Sequence, residues 1–405
     1  MTLQQVPRLP LLDIFRGFAI FGIFFVNITI MHCLFINQDA FSVQFQDPLS
    51  DTANRLLQLF FYNKFFPIFS FLFGFGIASQ MQKKRQLKQP YIAFFTRRMS
   101  ILFMFGLAHI SFLWSGDVVH LYAILGLLCL VFIHASCKIL VCISGVLLLF
   151  PFYDQLTHVV LQALPMQLDK QLLAYTEQGI IDTLRHGNYL QIITLHWHEY
   201  VANLPMLLFY LGPIALSMFL LGIAAGKARL TFASKEWTLH YKNMAIFIAI
   251  IGLIYKVIFL WLLPETQLYR NELLRPLWLK MMFLSDVTLG ICYLWGIAWL
   301  WHKYIAQKFL MPFSYVGRTA LSNYLLQSFI GLLLFTSLGA SLYQTLSPML
   351  CFIIASVVFM VQIGISAIWL HYFQYGPCEW LWRCGSYLEW VPFKKVKESV
   401  TQIHS

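Results

Sequence analysis

Charged side chains are scarce in this chain. Of its 405 residues only 11% are Asp, Glu, Lys or Arg, and 59% are hydrophobic; soluble domains carry about 25% charged residues. That shortage excludes a water-soluble globular protein. Paired cysteines are missing as well. The eight cysteines form no C-x-x-C motif, and Cys129, Cys142, Cys292 and Cys351 sit inside apolar runs, so they read as packing residues and not as a zinc site or disulfide framework. No internal repeat of the kind that builds inverted-repeat transporters is visible. The first apolar segment exceeds a typical signal h-region and lacks a small-x-small cleavage site, so it is expected to remain as an anchor. Gly74 and Gly76 in "FSFLFGFGIA" lack the context of a phosphate loop and read as close helix packing.

What the chain does have is apolar runs approaching the ~20 residues that cross ~30 Å of hydrocarbon. They predict an all-α polytopic membrane protein of about ten transmembrane helices with both termini cytoplasmic. The expected spans are 11–36, 56–80, 98–115, 118–135, 138–153, 204–226, 243–263, 278–300, 314–337 and 349–372. This orientation puts the basic connections at 81–97, 227–242 and 302–313 inside, and Asp39, Asp47, Asp51, Asp154, Asp169, Glu177, Asp182 and Glu199 outside. The net charge of +11 is thereby assigned to anionic headgroups and not to nucleic acid. The expected organisation is an N-terminal bundle at 1–153, an outer amphipathic helical segment at 154–203, a C-terminal bundle at 204–390 and a cytoplasmic tail at 391–405. Trp380, Trp382 and Trp390, beside basic residues, form an interfacial aromatic belt.

Polar groups inside the spans are the candidate functional residues, because charge near the bilayer centre costs at least ~2.5–3.5 kcal/mol. Arg16 precedes Asn27 by eleven residues, as Arg98 precedes His109; at 1.5 Å per residue each polar group lies roughly 16 Å beyond an inner-boundary arginine. In "VGRTALSNYLLQSF" Arg318 opens the ninth span, with Asn323 and Gln327 following on one face. The three polar faces are expected to converge on one wet cavity, since a buried amide or imidazole needs a partner. Interhelical hydrogen bonding without chemistry remains open for Asn27 and His109, as does snorkelling to headgroups for Asp13 and Arg16. His32 lies near the outer end of span one, either at a cavity mouth or in an ordinary interface. Asp117 either orients a histidine or is an exposed turn aspartate. Lys256 and Asp286 can pair between spans seven and eight. The two histidines of "HWHE", His196 to Glu199, have too few ligands for zinc, and no metal is expected.

The motifs "LDIFRGFAIFGIFFVN", "FFPIFSFLFGFGIA", "RRMSILFMFGLAHISFLWSGDVVHLYAILG", "GRTALSNYLLQS" and "YGPCEWLWR" occur in that order over residues 11 to 385. Together they resemble the YeiB family of bacterial inner-membrane proteins, which implies a multi-pass inner (plasma) membrane protein. Through Arg16, Gly17, Ala19, Phe25, Val26 and Asn27 the N-terminal block is also similar to transmembrane acyltransferases related to heparan-α-glucosaminide N-acetyltransferase. That resemblance implies transfer from cytoplasmic acyl-CoA, acetyl-CoA first, to a hydroxyl or amine of a small molecule or glycan at the outer face. It implies an active-site Asn at Asn27 and a histidine base, which this sequence leaves open between His109 and His32. Asn27, Asn323 or Gln327 can donate to an oxyanion, with Asn323 and Gln327 the expected substrate-binding pair. Arg16, Arg97, Arg98 and Arg318 can hold the CoA phosphates. A small-solute transporter accounts for the same intramembrane polar groups, and a homo-oligomer is compatible with either reading.

Overall fold

The computed structural model describes residues 10–34, 44–163, 175–230 and 234–395, together with Leu172 and Phe232. Asp39, Asp169 and the tail beyond residue 395 lie outside the described residues. Among those described the fold is all-α, with one isolated β-bridge between Phe373 and Lys394. The N-terminal part comprises α1 (Pro10–His32), α2 (Pro48–Phe60), α3 (Phe65–Gln86), α4 (Ile92–Phe112), α5 (Val119–Leu128) and α6 (Cys137–Leu149). Next come α7 (Tyr153–Ala163), α8 (Glu177–His186), α9 (Tyr189–Met206), α10 (Gly212–Lys227) and the short α11 (Lys235–His240). The chain continues through α12 (Lys242–Val257), α13 (Gln267–Arg270), α14 (Arg275–Trp301), α15 (Tyr304–Arg318), α16 (Ala320–Phe335), α17 (Pro348–Tyr372) and α18 (Pro377–Tyr387).

Among the described residues, six helical stretches are long and apolar enough to cross a membrane: Pro10–His32, Pro48–Gln86, Tyr189–Lys227, Lys242–Glu265, Arg275–Trp301 and Pro348–Tyr372. The chain is a multi-pass membrane protein. Several helices differ from the simple spans expected. Helix α9 continues through a π-helical turn at Leu207–Leu211 into α10, so the outer segment and the sixth span share 39 residues, roughly 58 Å of helix. Pro205 sits inside α9 and Pro213 at the start of α10; the wide turn between them absorbs the hydrogen bonds that proline cannot make. The ninth span is broken: α15 ends at Arg318, Thr319 leaves helical geometry at φ −118°, ψ 36°, and α16 starts at Ala320. Arg318 and the pair Asn323 and Gln327 therefore belong to different helices.

Helix α1 is the hub, packed on α3, α15, α16 and α17. A Cβ on Gly17 would fall 1.9 Å from the carbonyl oxygen of Phe313, and one on Gly317 would fall 1.7 Å from that of Asp13. The α1–α15 crossing is therefore backbone against backbone, a small-residue contact of the kind that lets membrane helices meet closely. Gly74 likewise seats α3 against Phe219 of α10, whereas a Cβ on Gly76 would find only Arg16 Nη2, at 3.8 Å. One end of the bundle carries the basic connections and the other carries Asp47, Asp51, Glu177 and Asp182; these are called the basic and acidic ends below.

Candidate active site

Near the acidic end, α4 delivers His109 in its last turn, and the chain reverses through Ser115, Gly116 and Asp117 into α5. Asp117 is not an exposed turn residue. Its carboxylate is fully buried and bridges two imidazoles: Oδ1 lies 3.0 Å from His109 Nδ1, and Oδ2 lies 2.6 Å from His120 Nδ1. Oδ2 also accepts the backbone N–H of His120 at 2.8 Å, which caps the first turn of α5. Gly106 makes room for this arrangement, since a Cβ there would stand 2.4 Å from the His120 nitrogen and 2.8 Å from Asp117 Oδ2. A buried carboxylate surrounded by N–H donors is held in its charged form.

The cluster extends to α9. His120 Nε2 pairs with the Tyr200 hydroxyl at 3.0 Å, and Ser115 donates a very short hydrogen bond to the Glu199 carboxylate. His196, one turn before Glu199, is also buried. A cavity of about 30 Å³ lies beside these groups, lined by Met31, Trp114, His196, Glu199, Leu332 and Phe335, room for about one or two waters. The Tyr324 ring of α16 stands 5.1 Å from the His109 ring. His109 itself is buried, and its Nε2 makes no hydrogen bond among the described residues. Its Nδ1 is close to Asp117 but off the line of a good hydrogen bond. The pair is thus near-aligned, a spacing that tightens readily when a proton is to be shared.

The other expected residues are placed as follows. Asn27 is half-buried on the α1 face that runs through Ile20, Phe24 and Met31. Ile20 packs with Tyr324, and Met31 contacts Gly331 and lines the small cavity. Asn27 consequently faces α16, as His109 does, but makes no side-chain hydrogen bond among the described residues. His32 Nε2 accepts the backbone N–H of Leu346 at 3.1 Å and its ring meets Phe335 edge-on, so this ring ties α1 to the 336–347 connection. Asn323 donates to Thr319 and Ser366, while Gln327 Nε2 donates to Gln362 Oε1 at 2.9 Å. Both amides therefore knit α16 to α17, although Gln327 Oε1 is buried with no hydrogen-bond partner among the described residues.

At the basic end three of the four expected arginines, Arg97, Arg98 and Arg318, reach α18 or the residues just before it. Arg16 pairs with Asp13 at 2.9 Å. The Arg98 guanidinium stacks 3.6 Å from the Trp382 ring, whose indole N–H donates to the Arg98 carbonyl at 2.7 Å. Arg97 reaches the Ser386 carbonyl at 3.4 Å, and Arg318 reaches the Gln374 carbonyl at 3.5 Å. Arg383 joins them, lying over Tyr375 and Tyr387. Glu379 of α18 caps α16 from a distance: it accepts from Leu321 N at 2.6 Å, Ser322 N at 3.1 Å and Ser322 Oγ at 2.6 Å. Burial pushes the Glu379 carboxyl above its usual range, while these donors pull it back.

A second buried charge cluster lies apart from both ends. Asp286 of α14 meets Lys256 of α12 at 2.8 Å, as the sequence allowed, and also Lys64, just before α3, at 2.7 Å. Among the described residues, no group of three or more His, Cys, Asp or Glu side chains is arranged to hold a metal ion. Sequence reasoning sets His120 beside Asp117 at the outer turn and reads His196 and Glu199 only as a weak metal motif; it does not reach Tyr200, Lys64, Glu379 or Arg383 as partners. For His196 and Glu199 the signal was their i, i+3 spacing, which turns both to one face of a helix.

Residues 225–389 match the family described as a protein of unknown function, DUF418. The chain is 26% identical over 400 residues to the uncharacterized protein YeiB of Escherichia coli K12, covering 92% of this chain and 94% of that one. The chain is a YeiB homologue. It is also 29% identical over 401 residues to the uncharacterized protein YxaH of Bacillus subtilis strain 168, with 96% of each chain covered. An uncharacterized 39.9 kDa protein from the amylase 3′ region of Bacillus acidopullulyticus is 25% identical over 401 residues, 97% of each chain. The YeiB likeness thus takes in both halves of the chain, whereas the DUF418 match begins at the end of α10.

Proposed function

We propose that this YeiB homologue is an acyltransferase of the bacterial inner membrane. On this reading it moves an acyl group from cytosolic acyl-CoA to a hydroxyl or amine of a small molecule or glycan at the outer face. The observation that carries the reading is His109: a buried imidazole with Asp117 at Nδ1 and an unoccupied Nε2 beside Tyr324. That is the arrangement of a general base with its positioning carboxylate. His109 Nε2 takes the acceptor's proton as the acceptor oxygen or nitrogen attacks the thioester carbonyl. The C–S bond then breaks, and the proton passes from His109 to the departing thiolate. Asp117 stabilises the imidazolium that exists between the two transfers. Asn27, half-buried and uncommitted on the face of α1 toward α16, is the candidate donor to the oxyanion.

By the positive-inside rule the basic end is cytosolic. Arg16, Arg97, Arg98, Arg318 and the newly found Arg383 form a rim there suited to phosphates. Eleven residues of α4 separate Arg98 from His109, roughly 16 Å, a gap that an extended pantetheine arm can cross. The test is thermal unfolding of the purified protein in detergent with a series of acyl-CoAs. A ligand at about 100 times its Kd stabilises the native state by about 2.7 kcal/mol, and Arg16→Ala or Arg98→Ala should remove the shift. His109→Ala should keep the shift and lose transfer by ~10²–10⁴-fold. No shift with any acyl-CoA would sink the proposal. A second reading, solute transport, is favoured by the buried Lys64–Asp286–Lys256 cluster, since ionisable groups within spans mark ion pathways; it predicts solute uptake by proteoliposomes without acyl-CoA.

A further inference from the structure

The molecule contains a second, much larger cavity that acyl transfer does not use. Its volume is about 390 Å³, within the ~300–1,000 Å³ of ordinary ligand sites. Its walls come from α3, α6, α10 and α14, with Phe71, Val141, Met218, Leu221, Val287 and Ile291 among the lining residues, and its floor comes from Leu230 and Phe232 of the α10–α11 connection and Trp237 of α11. The lining is apolar almost throughout. Val141, Ile291 and Leu230 are also exposed at the protein surface, so the cavity opens sideways where lipid would stand.

Depth and charge identify the occupant. Along α10 the lining runs from Met218 to Ala228, ten residues or roughly 15 Å. That is half of the ~30 Å hydrocarbon core, the thickness of one leaflet. The end at Ala228 belongs to the basic connection, where residues 227–242 hold Lys227, Arg229, Lys235 and Lys242 against the single acid Glu236. Arg229 lies between the lining residues Ala228 and Leu230, and Lys138 follows the lining residue Cys137. Trp237 and Trp295 line the same end, and Trp295 Nε1 donates to the Thr238 carbonyl at 3.1 Å, fixing α11 to α14. Such tryptophans mark headgroup level. An apolar slot one leaflet deep with cations at its mouth fits a lipid tail below an anionic headgroup.

We infer that this cavity is a binding site for an anionic phospholipid of the cytosolic leaflet. One acyl chain fills the slot between α10 and α14, and the phosphate is held by Arg229, Lys235 and Lys138. The site is independent of His109 and of acyl transfer.

Cys137 reports on occupancy, because it lines the cavity and is half-buried, while Cys142 on the same helix is exposed and lies outside the lining. The full-length protein in neutral detergent is treated with N-ethylmaleimide while dioleoyl phosphatidylglycerol is titrated in, and alkylation of each cysteine is followed by peptide mass spectrometry. At a lipid concentration about ten times its Kd, alkylation of Cys137 should slow about tenfold, with Cys142 unchanged. Phosphatidylcholine at the same concentration should protect far less, and Arg229→Glu with Lys235→Glu should erase the difference. Leu221→Trp, which fills the slot from its surface side, should leave Cys137 insensitive to lipid in protein that remains monodisperse. Equal protection by both lipids, no protection by either, or stronger protection by palmitoyl-CoA than by phosphatidylglycerol would overturn the assignment.

Discussion

Replacing Asp286 by Asn should be among the most destabilising single changes in this protein. Asp286 is completely buried on α14, with the ammonium groups of Lys64 and Lys256 at 2.7 and 2.8 Å, both also buried. The cluster carries one negative and two positive charges, so the carboxylate is the only compensation between α3, α12 and α14. Breaking a buried ion pair by removing one partner costs about 3–5 kcal/mol, a large share of a native stability of ~5–15 kcal/mol. Lys64→Met removes the odd cation with its 2.7 Å bond to Asp286 and its 3.3 Å bond to the Tyr62 carbonyl, leaving a balanced pair, and should cost about 1.5–3 kcal/mol. The apolar triple replacement Lys64→Met, Asp286→Leu and Lys256→Met should recover most of the stability, because a well-packed apolar set often equals or exceeds a buried ionic one. The assay is unfolding in one detergent followed by tryptophan fluorescence, with monodispersity checked by size exclusion. If Asp286→Asn stays within ~0.5 kcal/mol of the parent, or the triple variant is as unstable as the single, the electrostatic argument fails.

The remaining predictions concern the two ends of the bundle and its hub. Asp117→Asn should cut acyl transfer by ~10²–10⁴-fold while leaving CoA-dependent stabilisation intact; a wild-type rate would remove Asp117 from its positioning role. Glu379→Ala should lower stability by about 1–2 kcal/mol through loss of the α16 cap, with Glu379→Gln intermediate in the same unfolding assay; equal stability for all three would show the cap to be dispensable. Gly317→Val should leave no monodisperse protein, because even a Cβ at that position falls 1.7 Å from the Asp13 carbonyl oxygen, whereas Gly76→Ala, with only Arg16 Nη2 within 4 Å, should behave as wild type. His32→Phe should keep transfer activity if His109 is the base; loss of transfer in protein that still binds CoA would reassign that role.

The membrane helices were legible because an apolar run of sufficient length has few alternatives in a bilayer. The special weight placed on Asn27, His109 and the basic-end arginines came from the cost of burying polarity, and these positions do lie along α1, α4 and α15. Helix continuity was not legible. A proline usually ends a helix, yet Pro205 is carried through by a π turn that only tertiary packing reveals. Thr319 breaks α15 from α16 without any proline or glycine of its own, and its neighbour Gly317 was needed for contact with α1. Long-range partners were equally silent: Lys64 is 222 residues from Asp286, and His120 is 80 from Tyr200. Local chemistry leaves Asp117 open between a partner for a histidine and a solvent-facing turn residue, and only the packing of α9 over that turn makes it a buried bridge.

The distant capping of α16 by Glu379 has a consequence for biosynthesis. The first donors of that helix are met by a carboxylate 58 residues downstream of Leu321. Until the ribosome releases this segment, the helix that presents Tyr324 to His109 has an unfinished start, and the arginine rim lacks Arg383. Products truncated before α18 would carry every candidate catalytic side chain and still lack the brace that sets them.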